Sequence, residues 1–325
     1  MPTVAPIDVD GFVVRAGFLG ETPYFVSGEG EVLFLENGGQ RLSPHKSGVL
    51  AVEQSLDGKV LVTSGDDGAI YMSSPDGSSD LAAERPRKWI DLIACGPNGA
   101  VAFASGRTAW MRLADGREKE FAHDRAVGGL AFAPKGLRLA VSRYDGATLW
   151  WAGTDGDPVD LTWKGAHLGI SFSPDGKYLV TAMQENALHG WRLSDTQDMR
   201  MTGYPAKVKS FSWSVKGRYL ATSGANAAIL WPFFGKSGPM GQAPLQLGAR
   251  GDAMVTAVAC HPKEDVVALG YQDGMIMMSR FEDNAEVLLR RPGGHPVSSL
   301  GWDAAGLRLA FGTEMSEAGL ISLQD

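Results

Sequence analysis

The chain has 325 residues, of which 44% are hydrophobic and 21% charged, a balance that excludes global disorder. Its formal net charge of −7, with no concentrated cluster of Lys and Arg, disfavours nucleic acid and anionic membrane as partners. Cys95 and Cys260 are the only cysteines, too few for a disulfide framework or a thiolate metal site; each lies in an apolar run and reads as a small core residue. The 42 glycines are about twice the average usage, which suits a chain that turns back on itself many times. Residues 1–10 carry Asp8 and Asp10 and lack the basic start and apolar run of a signal peptide, and no apolar stretch reaches the length of a membrane span. A cytoplasmic location is the expectation.

Along the chain the same unit recurs: VRAGFLGETPYFVS from Val14, AVEQSLDGKVLVTS from Ala51, LIACGPNGAVAFAS from Leu92, LAFAPKGLRLAVS from Leu130, ISFSPDGKYLVTA from Ile170, FSWSVKGRYLATS from Phe211, AVACHPKEDVVALG from Ala257 and LGWDAAGLRLAFG from Leu300. Each reads as strand, turn, strand. The turns fall at Gly20, Gly58, Gly99, Gly136, Gly176, Gly217, Glu264 and Gly306, a period of about 40 residues, that of a four-stranded propeller blade. A tight turn and a third strand follow, as at Asp67-Gly68, Asp145-Gly146 and Asp273-Gly274, and then a more polar fourth segment, as at 118–121, 159–161 and 287–289. The expectation is one all-β domain over 1–325, a closed β-propeller of eight four-stranded blades, with seven as the alternative because the first unit is the least regular. The last unit ends before a fourth strand can form, and the N-terminal segment 4–7 is expected to supply it.

These residues resemble the WD40 repeat family over nearly the whole chain. The fourth unit fits best, and the resemblance implies that His123, Ser142, Asp145 and Trp151 form a buried hydrogen-bonded tetrad. Such a network stabilises only when every member is paired. Other units keep parts of the pattern: His45, Ser64 and Asp67 with Met72 near the tryptophan position; His167, Thr181 and Trp191 with Glu185 for the acid; Ser223 and Trp231 with Ala225; and singly Trp110, Asp273 and His295. Phe132, Phe172, Trp213 and Trp302 share one repeat position, where rings are expected to pack between neighbouring blades.

No convergent set of titratable groups, metal cluster or phosphate loop is visible, so no catalytic residue, metal or cofactor is expected. His189 and His261 lie outside the repeat's histidine position and read as surface or turn residues. The leading functional expectation is a non-enzymatic protein-interaction platform, a monomer by itself, that binds other proteins or peptides. The alternative is a propeller enzyme or small-molecule or metal-binding protein with its site at the central channel mouth. The resemblance directs attention to the face bearing the turns between second and third strands and the loops leading into each blade. There the interface-prone residues are Trp89, Arg143, Tyr144, Met183, Gln184, Tyr271 and Gln272, with Lys207 and Met254 beside them. The irregular insertion 232–244, with Phe233, Phe234 and Met240, is a second candidate contact.

Overall fold

The computed structural model describes residues 3–35, 39–235 and 237–324. Short antiparallel strands account for the architecture, and the turns between them follow from local chemistry. In the run Ser55 to Lys59, the Asp57 carboxylate accepts the Ser55 hydroxyl at 2.7 Å and the Lys59 N–H at 3.2 Å, while Gly58 takes φ 66°. Ser173, Asp175 and Gly176 repeat that turn, the Asp175 carboxylate accepting from the Ser173 hydroxyl at 2.7 Å and Gly176 lying at φ 72°. A short acceptor side chain followed by a residue free to enter the left-handed region makes each hairpin.

The chain divides into two compact units, one of 1–44, 75–77 and 204–325, the other of 45–74 and 78–203. The first unit holds four sheets. Sheet I is Val13–Leu19, Thr22–Ser27, Val32–Phe34 and Gln40–Leu42; sheet V is Phe211–Trp213, Tyr219–Thr222, Ala228–Pro232 and Leu245–Leu247; sheet VI is Val255–Cys260, Val266–Tyr271, Ile276–Arg280 and Glu286–Arg290. Sheet VII is Val297–Trp302, Arg308–Thr313 and Glu317–Ser322, and its fourth strand is N-terminal: Thr3–Asp8 pairs antiparallel with Glu317–Ser322, Thr3 opposite Ser322 and Asp8 opposite Glu317.

The second unit holds sheet II (Val49–Gln54, Leu61–Gly65, Ala69–Ser73, Ser79–Glu84), sheet III (Leu92–Cys95, Val101–Ser105, Thr108–Arg112, Glu118–Ala122) and the six-stranded sheet IV (Val127–Phe132, Arg138–Trp151, Val159–Phe172, Tyr178–Met183, Ala187–Arg192, Gln197–Met201). The described residues thus form seven sheets, which corrects the expected eight in favour of the alternative. The cause lies in sheet IV, which contains both the fourth and fifth sequence units. Its two 14-residue strands pair with each other, Gly146 opposite Thr162 and, across a register shift, Tyr144 opposite Ala166, so the two units share one sheet. Asp145 at φ 65° and Gly146 at φ 131° bend the first of them, and the Ala152 N–H reaches the Leu137 carbonyl at 2.8 Å. Sheet IV is also drawn tight: a Cβ on Gly128 would lie 2.1 Å from the His167 carbonyl oxygen.

Second strands are buried along their whole length, as in VVALGY of sheet VI and YLVTAM of sheet IV, whereas fourth strands alternate or are mostly exposed. The core accordingly runs between consecutive sheets of a unit. Val62 and Ile70 of sheet II pack with Ile93, Val101, Phe103 and Trp110 of sheet III, and Leu230 and Leu247 of sheet V pack with Val258, Leu269 and Tyr271 of sheet VI. No helix among the described residues is long and apolar enough to cross a membrane.

Candidate partner-binding face

The polar networks that fix the loops are real but are not centred on the fourth unit. His123 Nε2 has no hydrogen-bond partner among the described residues, Asp145 is exposed and accepts only from the Gly165 N–H at 3.3 Å, and Trp151 is 49% exposed beneath the Arg138 guanidinium. Ser142 donates to the Leu168 carbonyl. The expected tetrad is therefore corrected. Trp150, one residue earlier, is the indole that turns inward, against Phe121 at 5.0 Å and edge-on to His123 at 5.9 Å. A shift of one residue in a strand reverses the face a side chain occupies.

The complete network belongs to the second unit. His45 Nδ1 lies 3.2 Å from the Asp67 carboxylate and Nε2 lies 2.9 Å from the Thr63 hydroxyl, with Tyr71 edge-on to the ring at 5.0 Å. Again the partners sit one residue before the expected Ser64 and Met72. Burial alone would raise the Asp67 carboxyl, but hydrogen bonds from the Ala69 N–H and from His45 hold it below the usual carboxylate range; burial lowers His45. In the fifth unit His167 Nδ1 meets the Thr181 hydroxyl at 2.7 Å and its Nε2 meets the Trp163 carbonyl at 3.0 Å. In the sixth, Tyr204 stands in for histidine: its hydroxyl is 2.6 Å from Thr222 Oγ1 and accepts the Trp231 indole N–H at 2.6 Å. His189, expected at the surface, is fully buried and stacks on Trp163 at 4.2 Å; burial pushes it down to about 3. His261 is buried too, its Nε2 2.9 Å from the Gly306 carbonyl.

Three sheets use a device that the family pattern does not contain. An arginine at the end of one fourth strand lies over an aromatic ring of the next sheet and pairs with an acid there. Arg85 covers Phe103 at 5.1 Å and pairs with Glu118; Arg250 covers Tyr271 at 5.1 Å and meets Asp273 at 2.8 Å; Arg290 covers Phe311 at 5.1 Å and meets Glu317 at 3.0 Å. Each combines cation–π attraction with an ion pair at a half-buried site. Arg85 is thus structural.

Those networks decide which loop residues remain available. Tyr271 is fully buried, its hydroxyl donating to the Gly248 carbonyl at 2.6 Å, and Met183 is buried, its methyl 2.9 Å from a Cβ built on Gly165. Neither is free to meet a partner, which corrects both expectations. Arg143 is tied to Thr148, the Tyr144 carbonyl and Asp160. Trp89 (69% exposed) and Tyr144 (50%) are open, as are Gln184 and Gln272. In the compact unit of 45–74 and 78–203, Tyr144 borders a depression with Arg125, Val127 and Leu168. In the other compact unit Gln272 borders a second one with Lys207, Lys209, Met254 and Glu314. Among the described residues, Arg125, Lys207 and Lys209 have no acidic partner. Sequence reading missed Arg125 and Lys209; their signal is a cation two residues before a first strand. In the insertion, Phe233 packs against Trp213 at 4.8 Å and is buried, while Phe234 is 36% exposed under Arg218 and Met240 is 46% exposed.

The seven antiparallel sheets are those of a β-propeller, and three of the sequence units bond a buried ring to a hydroxyl of a second strand: His45 to Thr63, His167 to Thr181 and Tyr204 to Thr222. Residues 39–72, the segment with the complete His45, Thr63 and Asp67 network, match the model of the WD domain, G-beta repeat. Among solved structures, the crystal structure of the computationally designed Ika8 protein (crystal packing No. 1 in P63) is similar, with a TM-score of 0.75 at 18% identity over 97% of each chain; this likeness is one of fold. Comparison with curated protein sequences gives no match.

Proposed function

We propose that this propeller is a non-enzymatic protein-interaction platform, a cytoplasmic monomer that binds acidic peptide segments of other proteins across the loops leading into its blades. The observation that supports this most is that cations without an ion-pair partner among the described residues stand beside contact residues at those loops: Arg125 beside exposed Tyr144, and Lys207 and Lys209 beside half-buried Met254 and exposed Gln272. Propellers with WD40 repeats generally hold proteins or peptides, and the local cations stand out against a net charge of −7. A partner bound this way is steered by charge and anchored by the aromatic, so its affinity falls with salt.

Affinity capture from the native host with the wild type, Tyr144→Ala and the double variant Arg125→Glu, Lys207→Glu tests this reading. Partners lost from both variants at unchanged Tm support it. Identical partners on all three proteins would overturn it.

A further inference from the structure

In seven of the sequence units the first strand ends on an equivalent residue: Gln54 opposite Leu61, Cys95 opposite Val101, Phe132 opposite Leu139, Phe172 opposite Leu179, Trp213 opposite Leu220, Cys260 opposite Val267 and Trp302 opposite Leu309. Where that residue is aromatic, its ring fills the gap to the preceding unit. Phe132 lies so close to Gly96 that a Cβ there would come within 2.8 Å of the ring, and the Trp302 indole donates to the Ala259 carbonyl at 3.0 Å while meeting His261 edge-on. Two units carry cysteine instead, and they differ.

At Cys260 the missing ring is replaced. Tyr219 of sheet V meets Phe281 edge-on at 5.6 Å, and Phe234 covers Tyr219 from outside at 5.5 Å. At Cys95 it is not. Val60 stands where Tyr219 stands, each preceding the leucine paired with the end of the first strand, and Ala114 occupies the place of Phe281, each two residues beyond the partner of the second-strand valine. Three reductions in size coincide, and the result is a cleft of 830 Å³ between sheets II and III, within the volume range of ligand sites. Leu56 (69% exposed) and Leu81 (53%) stand at its rim. Asp57 and Asp80 also line it, the latter with no ion-pair partner among the described residues, whereas Arg112 there is engaged with Glu118 at 3.7 Å and the Gly116 carbonyl at 3.0 Å.

We propose that this cleft is a binding site for an aromatic side chain of a partner peptide, tryptophan or phenylalanine flanked by lysine or arginine, seated where Phe132 and Trp302 sit in their own units. The apolar walls Val60, Val62, Met72 and Val101 bury the ring, and Asp57 and Asp80 select the flanking cation. The site is made by the turns between first and second strands, at the other end of sheets II and III from the loops of the proposed partner face, so the two stand or fall separately.

The test uses the full chain with ¹³C-methyl methionine, following the Met72 methyl resonance, assigned with Met72→Leu, during titration with acetyl-Lys-Trp-Lys-amide. A saturable shift is expected, weaker by about tenfold with acetyl-Glu-Trp-Glu-amide and lost with acetyl-Lys-Ala-Lys-amide. Cys95→Phe is expected to fill the cleft, abolish the shift and raise Tm; should it misfold, Leu81→Lys at the exposed rim is expected to weaken binding by about tenfold at unchanged Tm. No saturable Met72 shift at millimolar peptide, an equal shift with the alanine peptide, or undiminished binding in a folded variant overturns the proposal.

Discussion

The Trp231 indole N–H donates to the Tyr204 hydroxyl at 2.6 Å, and that hydroxyl also meets Thr222 Oγ1 at 2.6 Å, so one buried phenol ties three segments of the sixth unit together. Tyr204→Phe leaves the indole N–H without its acceptor in a buried site, and a loss of about 1–3 kcal/mol is expected in urea unfolding. A double variant with Trp231→Phe should recover part of that loss, because it removes the orphaned donor as well.

The arginines that cover rings make a parallel case. Arg250→Met keeps much of the packing over Tyr271 but leaves Asp273 and Asp252 without their cation. A decrease of about 1–2 kcal/mol is expected, and Arg250→Lys should not restore it fully, since a point ammonium lacks the planar fork. Equal stability of the methionine variant and the wild type would show that the ion pairs and ring contact add nothing.

Close approach in sheet IV is tested at Gly128, where any Cβ would lie 2.1 Å from the His167 carbonyl oxygen. Gly128→Ala forces backbone apart from backbone, and thermal unfolding should show a destabilisation of about 2–3 kcal/mol. An alanine variant as stable as the wild type would mean that the strands are farther apart than described.

Acid should weaken the fold well before carboxylates titrate. Burial holds His189 at about 3, against an ordinary value of 6.5, with His167 and Arg200 pushing the same way and the Asp198 carboxylate 3.7 Å from Nε2. Above 6.5 both folded and unfolded chains carry a neutral imidazole and the contribution is fully present. As pH falls below 6.5 the unfolded chain binds a proton that the native chain refuses, so stability declines down to about pH 3, with about 2 kcal/mol lost at pH 5 from this residue. His45, His123 and His167 are lowered too and add in the same direction. Urea unfolding at pH 7 and pH 5 measures the decline, and His189→Phe, which keeps a ring on Trp163, should reduce it.

Period and alternation made the architecture legible in the sequence: the strand pairs and the turns at Gly58 and Gly176 follow from local chemistry, and the N-terminal strand beside Glu317–Ser322 follows from the fourth strand that the last unit lacks. The blade count was less legible, because the continuity of Arg138–Trp151 with Val159–Phe172 depends on backbone pairing across Tyr144 and Ala166, which no residue type announces. Network positions failed by one residue at Thr63, Tyr71 and Trp150, since a two-residue period makes neighbouring candidates equivalent in a sequence but opposite in space. Tyr271 and Met183 carried the right residue types for an interface, yet their neighbours at Gly248 and Gly165 absorb them.

The most direct measurement of the central claim is site-specific photocrosslinking in the native host, with benzoylphenylalanine placed at Tyr144 and, as a control, at exposed Lys135 in a turn between first and second strands. A discrete protein adduct from position 144, absent from position 135 and diminished by Arg125→Glu, is the expected result. Adducts of the same protein from both positions, or none from 144 in a folded protein, would contradict a partner-binding face at these loops.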